Sequence, residues 1–535
     1  MLHLILKWAQ RWCKAYMVPM IFCAFYFSTN AQATFNKRLH FGYYAAVLTS
    51  VIPTDSGYIA TGILADTISP YNTGALFSML DLQGDPIFTK TLTSTIRTYE
   101  PWFNSLEALP DSSYIVTAVS YKPKENAMII KYDPNGDTIF TRSYMNPLSP
   151  EFDRIQPWGG LTQLSDGGFI LPAWINSHPI FTTVSNVYFF KIDSVGKMEW
   201  DNIYTSSPIS ERPTSRTDDG NGNTFIGWTK YNKGNVFENF TFQIRIIKIN
   251  ESGETLWEYE SPDSLGLLDA PNDMVLLDDG SLVIATGIGT EIERPTSNTV
   301  YFDKYLIKLK PDKKIEWTAT FPDAELNVSS KLTNVISLSD GSGFVTAGME
   351  AEDLPGNDTY AIRGWVGKVS PQGQKLWSRA YVGIGGDQPR HTIYDLKETP
   401  DGGIILVGES RDGTGDTSPP QQAWLLKLDQ HGCLVPGCNL LDDVDEATEQ
   451  PIELAIYPNP ATDYLNFQLR NNQLPQGGTF RIVDMGGRIV HSFPISRVHA
   501  SDTFILPVWD WTAGTYSLQY LLDGRVVVSE KFIKL

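Results

Sequence analysis

Seven segments of this chain repeat one order of features. Each has an apolar strand, a short turn, a second strand, a variable loop, a strand of the form apolar-Lys-apolar-Asp, a tight turn and a strand carrying an aromatic residue. Aligned on the second turn, the repeats fall at Gly84, Gly136, Gly196, Gly253, Lys313, Gly373 and Gly432, spaced 52 to 60 residues apart. One such unit cannot bury both faces of its own sheet, so the units must stack. About four strands per repeat of this length is what a β-propeller blade requires. The sequence therefore predicts an all-β fold, a seven-bladed β-propeller over 34–438.

Two columns fix the register. Four residues past the turn position stand Phe88, Phe140, Trp200, Trp257, Trp317 and Trp377, and only the seventh repeat departs, with Pro436. Large flat rings at one repeated place fill the space between stacked blades. Five residues before the turn position stand Met79, Lys131, Lys191, Lys248, Lys308, Lys368 and Lys427, which read as a repeated ion pair on the surface or between blades. The first turn of five repeats is Asp-Gly, at Asp166, Asp219, Asp279, Asp340 and Asp401, where the glycine supplies a positive φ. Asp219-Gly220-Asn221-Gly222-Asn223 looks like a calcium loop, yet it lacks the later bidentate Glu and reads as an extended turn. Blade seven has no outer strand of its own after Gly432. The only unassigned strand-like stretch, Phe35 to Gly42, is expected beside Ala423 to Leu428, closing the ring and removing two sheet edges.

The first 33 residues stand apart. Lys7, Arg11 and Lys14 precede the apolar run Met17 to Phe27, and Ala31-Gln32-Ala33 gives a small-x-small cleavage pattern, which reads as a secretory signal peptide. No later stretch approaches the roughly 18 apolar residues of a membrane span. Loss of the three basic residues takes the formal charge from −19 to −22, so nucleic acid is not an expected partner. Cys433 and Cys438 then remain as a close pair around Pro-Gly, expected to form a structural disulfide in an oxidising compartment.

Beyond the repeats, 439–450 (NLLDDVDEATEQ) has five acidic residues and no basic one, an acidic linker by composition. The last 85 residues, 451–535, have short strands broken by Gly and Asn, as in a small immunoglobulin-like β-sandwich. The segments IYPNPATDYLNFQL, FRIVDMGGRIVHSF and GTYSLQYLLDGRVVVSEKFIKL resemble, in order and terminal position, the type A C-terminal sorting domain of type IX secretion substrates. That resemblance implies the type IX secretion machinery as partner and delivery across the outer membrane, with the cargo left on the cell surface or released. It places Pro458, Asn459, Pro460, Asp484, Gly487, Gly514, Tyr516 and Lys534 on the sorting motif.

In a four-stranded meander the two short turns share one face, so the long connections share the other. Trp102, Arg154, Trp158, Arg212, Arg390 and His391 stand around the entries to the innermost strands and form the candidate ligand-binding set at the channel mouth. The competing reading is that these Pro-flanked residues only fix strand entry. No cofactor or metal is expected, because the histidines besides His3, at 40, 178, 391, 431, 491 and 499, show no ligand spacing, and no nucleophile elbow or phosphate loop occurs. The sequence thus points to an exported propeller that binds a glycan, peptide or surface component without catalysis. The alternative is a propeller glycan lyase or hydrolase with a carboxylate or His/Arg/Tyr cluster at the same mouth.

Overall fold

The computed structural model describes residues 32–66, 72–147, 154–176, 185–204, 211–232, 241–292, 299–321, 330–353, 360–384, 389–412, 421–435, 438, 453–470, 478–495, 502–522 and 525–535. The expected signal peptide and acidic linker lie outside these residues, apart from the two residues before Thr34. Among the described residues the only helical element is a 3₁₀ turn at Asp263–Leu265.

Strand pairing builds seven four-stranded antiparallel units. The first runs Ala45–Thr54, Gly57–Ala65, Thr73–Asp81 and Pro86–Leu92 in spatial order. Five more follow in sequence, over 100–144, 155–203, 213–260, 267–321 and 331–381. The seventh takes Pro389–Glu398, Ile404–Asp412 and Gln422–Leu428, and its outer strand comes from the other end of the chain. Phe35–Leu39 pairs antiparallel with it, Phe35 opposite Lys427 and Leu39 opposite Ala423, as the sequence predicts. Past Leu428 the chain turns into the loop closed by the Cys433–Cys438 disulfide.

Apolar side chains join each unit to the next. Phe77 and Met128 share one buried cluster across blades 1 and 2, Ile129 and Phe190 one across 2 and 3, and Phe189 and Trp228 one across 3 and 4. Ile246 and Ile284, Leu306 and Trp365, and Val366 and Trp424 likewise share the clusters of the next three seams. The seventh seam sets Phe35 and Leu425 of blade 7 against Leu48 and Leu76 of blade 1, which closes the ring. Burial of two faces per sheet explains why these strands read as near-continuous apolar runs.

At the short-turn end, one device recurs. The side chains of Asp81, Asp133, Asp193, Asn250 and Asp429 each accept hydrogen bonds from the backbone amides two and four residues on, and Ser370 Oγ does the same. These caps let six turns reverse in a left-handed glycine, and the uncapped seventh reverses at Lys313, at φ 69°. The four tryptophans of the aromatic column pack on the next blade's turn. The rings of Trp200, Trp317 and Trp377 lie where a Cβ on Gly253, Gly373 or Gly432 would stand. Trp257 and Trp317 also donate from Nε1 to the carbonyls of Pro311 and Pro371.

Of the two places expected for the lysine column, on the surface or between blades, the structure shows pairs within a blade. Lys131, Lys191, Lys248 and Lys427 reach Asp111, Asp166, Asp219 and Asp401, each in the first turn of the same blade. The reason is the period of two along a strand, which sends both side chains to one face of one sheet. Asp219 also accepts the amides of Asn221 and Asn223, so this loop is a turn, with its carboxylate already occupied.

The C-terminal strands form two facing sheets, one of Glu453–Tyr457, Tyr464–Arg470 and Phe504–Pro507, the other of Gly478–Asp484, Ile489–Ile495, Gly514–Leu522 and Arg525–Lys534. Phe467, Phe480, Phe504, Tyr520 and Phe532 fill the space between them. The fold is therefore an all-β propeller followed by a small β-sandwich.

Candidate functional site

Irregular pairing occurs at the outer strands of blades 1 to 6, which each carry a register shift, and at every strand nearest the axis. The innermost strands of blades 1, 4, 6 and 7 carry a register shift, and those of blades 2, 3 and 5 are interrupted. Crowding at the axis favours such bulges, which re-aim side chains into the channel. Trp102 and Trp158 sit on two of the interruptions, directly after Pro101 and Pro157. Their amides still reach the neighbouring strand, at Thr117 O (2.8 Å) and Pro172 O (3.0 Å).

The two indoles meet at 4.9 Å between centroids, inclined by 59°. Trp102 continues to Phe103 at 5.3 Å, and Phe103 stacks on Tyr394 of blade 7 at 4.1 Å and 24°. All four rings are partly exposed. Together they form an aromatic floor running from blade 3 through blade 2 to blade 7. Gly159 and Gly160, both with φ 77°, follow Trp158, where a Cβ on either would approach the Arg216 side chain or backbone within 3.4 Å.

Polar groups surround this floor. Arg154 Nε lies 3.5 Å from Glu125 Oε2, and Gln156 Nε2 donates to the Tyr121 hydroxyl at 3.3 Å. Burial raises the carboxyl pKa of Glu125 against the opposing pull of Arg154, Gln156 and Arg212. Burial likewise raises Glu100, despite a hydrogen bond from Thr73, and pushes Tyr121 up to about 12, helped by both carboxylates. Arg212 donates from Nε to Ser185 Oγ (3.0 Å) and lies 4.2 Å over the Trp174 ring. Arg390 is half-buried and pairs across the sheet with Arg411, at the entry of blade 7.

His391 stands apart from the other candidates. It is fully buried beside Trp424, its Nε2 accepts from the Ile384 amide at 2.9 Å, and its Nδ1 lies 2.9 Å from Ile362 O, so the hydrogen-bond pattern assigns the neutral Nδ1-H tautomer. Burial drives its pKa down to about 3. The structure gives this residue a packing place between blades 6 and 7 and no exposure to a ligand; both ring nitrogens are taken up by backbone.

Below the aromatic floor lies a polar collar that sequence reasoning missed. Ser50 Oγ accepts from the Ser105 amide (2.9 Å), Asp395 from the Val51 amide (2.9 Å) and Asp273 from the Val335 amide (3.0 Å), each bond joining two adjacent blades. Lys397 Nζ sits 2.6 Å from Asp395 and 2.9 Å from Asn104, and Arg216 pairs with Glu107 and Asp218. Burial would lower the Lys397 pKa, yet Asp395, Asp273 and Glu107 outweigh it and hold the ammonium charged. Asp273 sits deep among protein atoms although water can touch it, and that desolvation pushes its carboxyl up to about 7. The available signal was a polar residue recurring in each innermost strand.

Two open clefts of ≈ 630 and ≈ 740 Å³ occupy the opposite, short-turn end, one between blades 6 and 7 near Glu398 and His431, the other between blades 4 and 5 near Trp257 and Pro311. None of the six candidate residues lines either cleft. No cluster of three or more His, Cys, Asp or Glu suited to a metal occurs among the described residues.

In the sandwich, the predicted motif residues sit at turns and strand ends. Asn459 Oδ1 accepts the Ile533 amide (2.9 Å) and its Nδ2 donates to Lys531 O (3.1 Å), stitching the Pro458-Asn459-Pro460 turn to the last strand. Asp484 caps the turn that Gly487 reverses at φ 79°. Gly514 opens the strand on which Tyr516 stacks against Phe532, and Lys534 ends its neighbour.

Solved structures similar to this chain match it at low identity. The Pseudomonas aeruginosa periplasmic gluconolactonase PpgL is 10% identical with a TM-score of 0.39, the match covering 86% of this chain and 99% of that one. The β-propeller domain of the Trilobed protease from Pyrococcus furiosus is 11% identical with a TM-score of 0.35, covering 71% and 95%. The polysaccharide lyase Uly1 is 11% identical with a TM-score of 0.43, covering 71% and 90%. No curated protein matches the sequence. Ring, seams and closure define the chain as a β-propeller protein with a terminal sandwich. Residues 455–535 match the secretion system C-terminal sorting domain, so this is a propeller that ends in a type IX sorting module and is directed to secretion and the cell surface. No helix among the described residues is long and apolar enough to cross a membrane.

Proposed function

We propose that the long-loop mouth of the propeller is a non-catalytic binding site for a surface component, with a glycan as the best-matched class. The observation that carries this reading is the partly exposed Trp102–Trp158 pair, continued by Phe103 and Tyr394, with Arg154, Arg212 and Arg390 around the mouth. Apolar ring faces suit the C–H faces of sugars, while guanidinium forks suit their hydroxyl and carboxylate oxygens. His391 takes no part. The propeller over 34–438 is the cargo in this reading, 439–450 the linker and 451–535 the address, with Pro458, Asn459, Pro460, Asp484, Gly487, Gly514, Tyr516 and Lys534 serving the type IX machinery.

One observation favours an enzyme as second reading. Glu100 and Glu125 both have carboxyl pKa values raised by burial and both act on Tyr121, and a carboxyl pKa raised by burial is a feature of general acids. A glycan array followed by polysaccharide-degradation assays separates the two. Binding reduced about tenfold by Trp102→Ala or Trp158→Ala, equivalent to about 1.4 kcal/mol, with no product released, supports the binding site. Product release abolished by Glu125→Gln would replace it with the hydrolase or lyase reading.

A further inference from the structure

Behind an acidic linker, the sorting module is expected to stand apart from the propeller; instead it lies against blades 6 and 7. Arg363, on the third strand of blade 6, holds Nη1 3.1 and 3.3 Å from the two carboxylate oxygens of Asp502, just ahead of the sandwich strand Phe504–Pro507. Both side chains are almost fully buried, at 8% and 1% exposure. Tyr464 donates its hydroxyl to Arg38 O (2.9 Å), on the outer strand of blade 7, and Tyr457 packs on the seam between blades 6 and 7.

We infer that the outer rim of blades 6 and 7 is a seat for the chain's own sorting module, read by the Arg363–Asp502 contact, so that the two modules hold together as a single body. The chemistry supports this. An ion pair removed from water on both sides persists only with good geometry, and its main use is to select one arrangement over others. The contact also engages the N-terminal strand that closes the ring, through Arg38.

Calorimetry and hydrogen exchange on the full chain test the seat. The wild-type protein is expected to melt in a single transition. Asp502→Asn and Arg363→Met should each split it in two and speed exchange of the Phe35–Leu39 amides about tenfold, while the amides of Phe467 and Phe480 stay protected. The apolar pair Arg363→Met with Asp502→Leu should bring the single transition back. If Asp502→Asn loosens the sandwich itself, the Arg363→Met protein, whose sandwich is unaltered, decides by the same two readouts. Two independent wild-type transitions, or Arg363→Met with unchanged melting and exchange, would overturn the inference.

Discussion

The two ends of the propeller are built by different rules. At the short-turn end, six of the seven blades repeat the same side-chain cap, and most add a Lys–Asp tie and an indole or phenyl ring laid on the next turn. Among the described residues of the long-loop end no such device recurs: Trp102 and Trp158 pack on each other, and Glu125, Arg212 and Arg390 each make a different contact. A short turn has few solutions, so equivalent positions converge on equivalent chemistry. A long connection is released from that constraint because the seams and turns already fix the blade. Individual side chains at the mouth can therefore differ from blade to blade.

Breaking the ring should have the largest effect. Removing 34–42 leaves Gln422–Leu428 as an open edge and empties the seam of Phe35 and Leu39. The expected outcome is a loss of several kcal/mol, seen in calorimetry as a fall in Tm on the order of 10 °C, at about 2–4 °C per kcal/mol for domains of a few hundred residues.

The comparison sharpens with two tryptophans. Trp317→Ala at the repeated end removes a seam contact and the bond to Pro371, and should cost about 2–3 kcal/mol, toward the low side of buried Trp truncations because the ring is only half-buried. Trp158→Ala at the mouth should shift denaturant midpoints far less. Equal losses at both would erase the distinction between the two ends.

Two titrating groups pull in opposite directions as pH changes. The folded-state pKa of His391, about 3, lies below its unfolded value, so its contribution is present above about 6.5 and is lost as pH falls toward 3. Asp273, at about 7, lies above its unfolded value, so stability is lost as pH rises from about 4 through 7. Melting curves of His391→Gln should show a weaker loss of Tm on acidification, and those of Asp273→Asn a weaker loss between pH 4 and 7. Parallel curves for mutant and wild type would remove the assigned group from the account.

The smallest effect belongs to the ties. Lys191→Met should lower stability by less than about 1 kcal/mol, since Asp166 is largely in water, and added salt should shrink the difference further.

The columns of Trp and Lys were legible in the sequence because their chemistry is local to a repeated turn. Ring closure was legible for a complementary reason: CLVPGC cannot supply a strand, and Phe35–Leu39 had no other partner. The collar of Ser50, Asp273 and Asp395 was not legible, because irregular inner strands break the period of two. Its partners are also remote, as Val51 is from Asp395 or Asn104 from Lys397. The reading of His391 as a mouth residue failed on the same ground, since its burial depends on Ile362 and Ile384 from the blade before. The Trp102 and Trp158 positions were found because Pro-Trp marked the interruptions.

The pairing of Phe35–Leu39 with Ala423–Lys427 also sets an order of events. A ring closed by residues nearly 400 positions apart has long-range contacts that local structure cannot replace, and such contacts form late. The first strand of the propeller must stay unpartnered until residue 427 has been made, leaving the growing chain an open arc of blades. A chain of this design remains an open arc for most of its synthesis, and it becomes a closed body only when the sorting module is the next segment to follow.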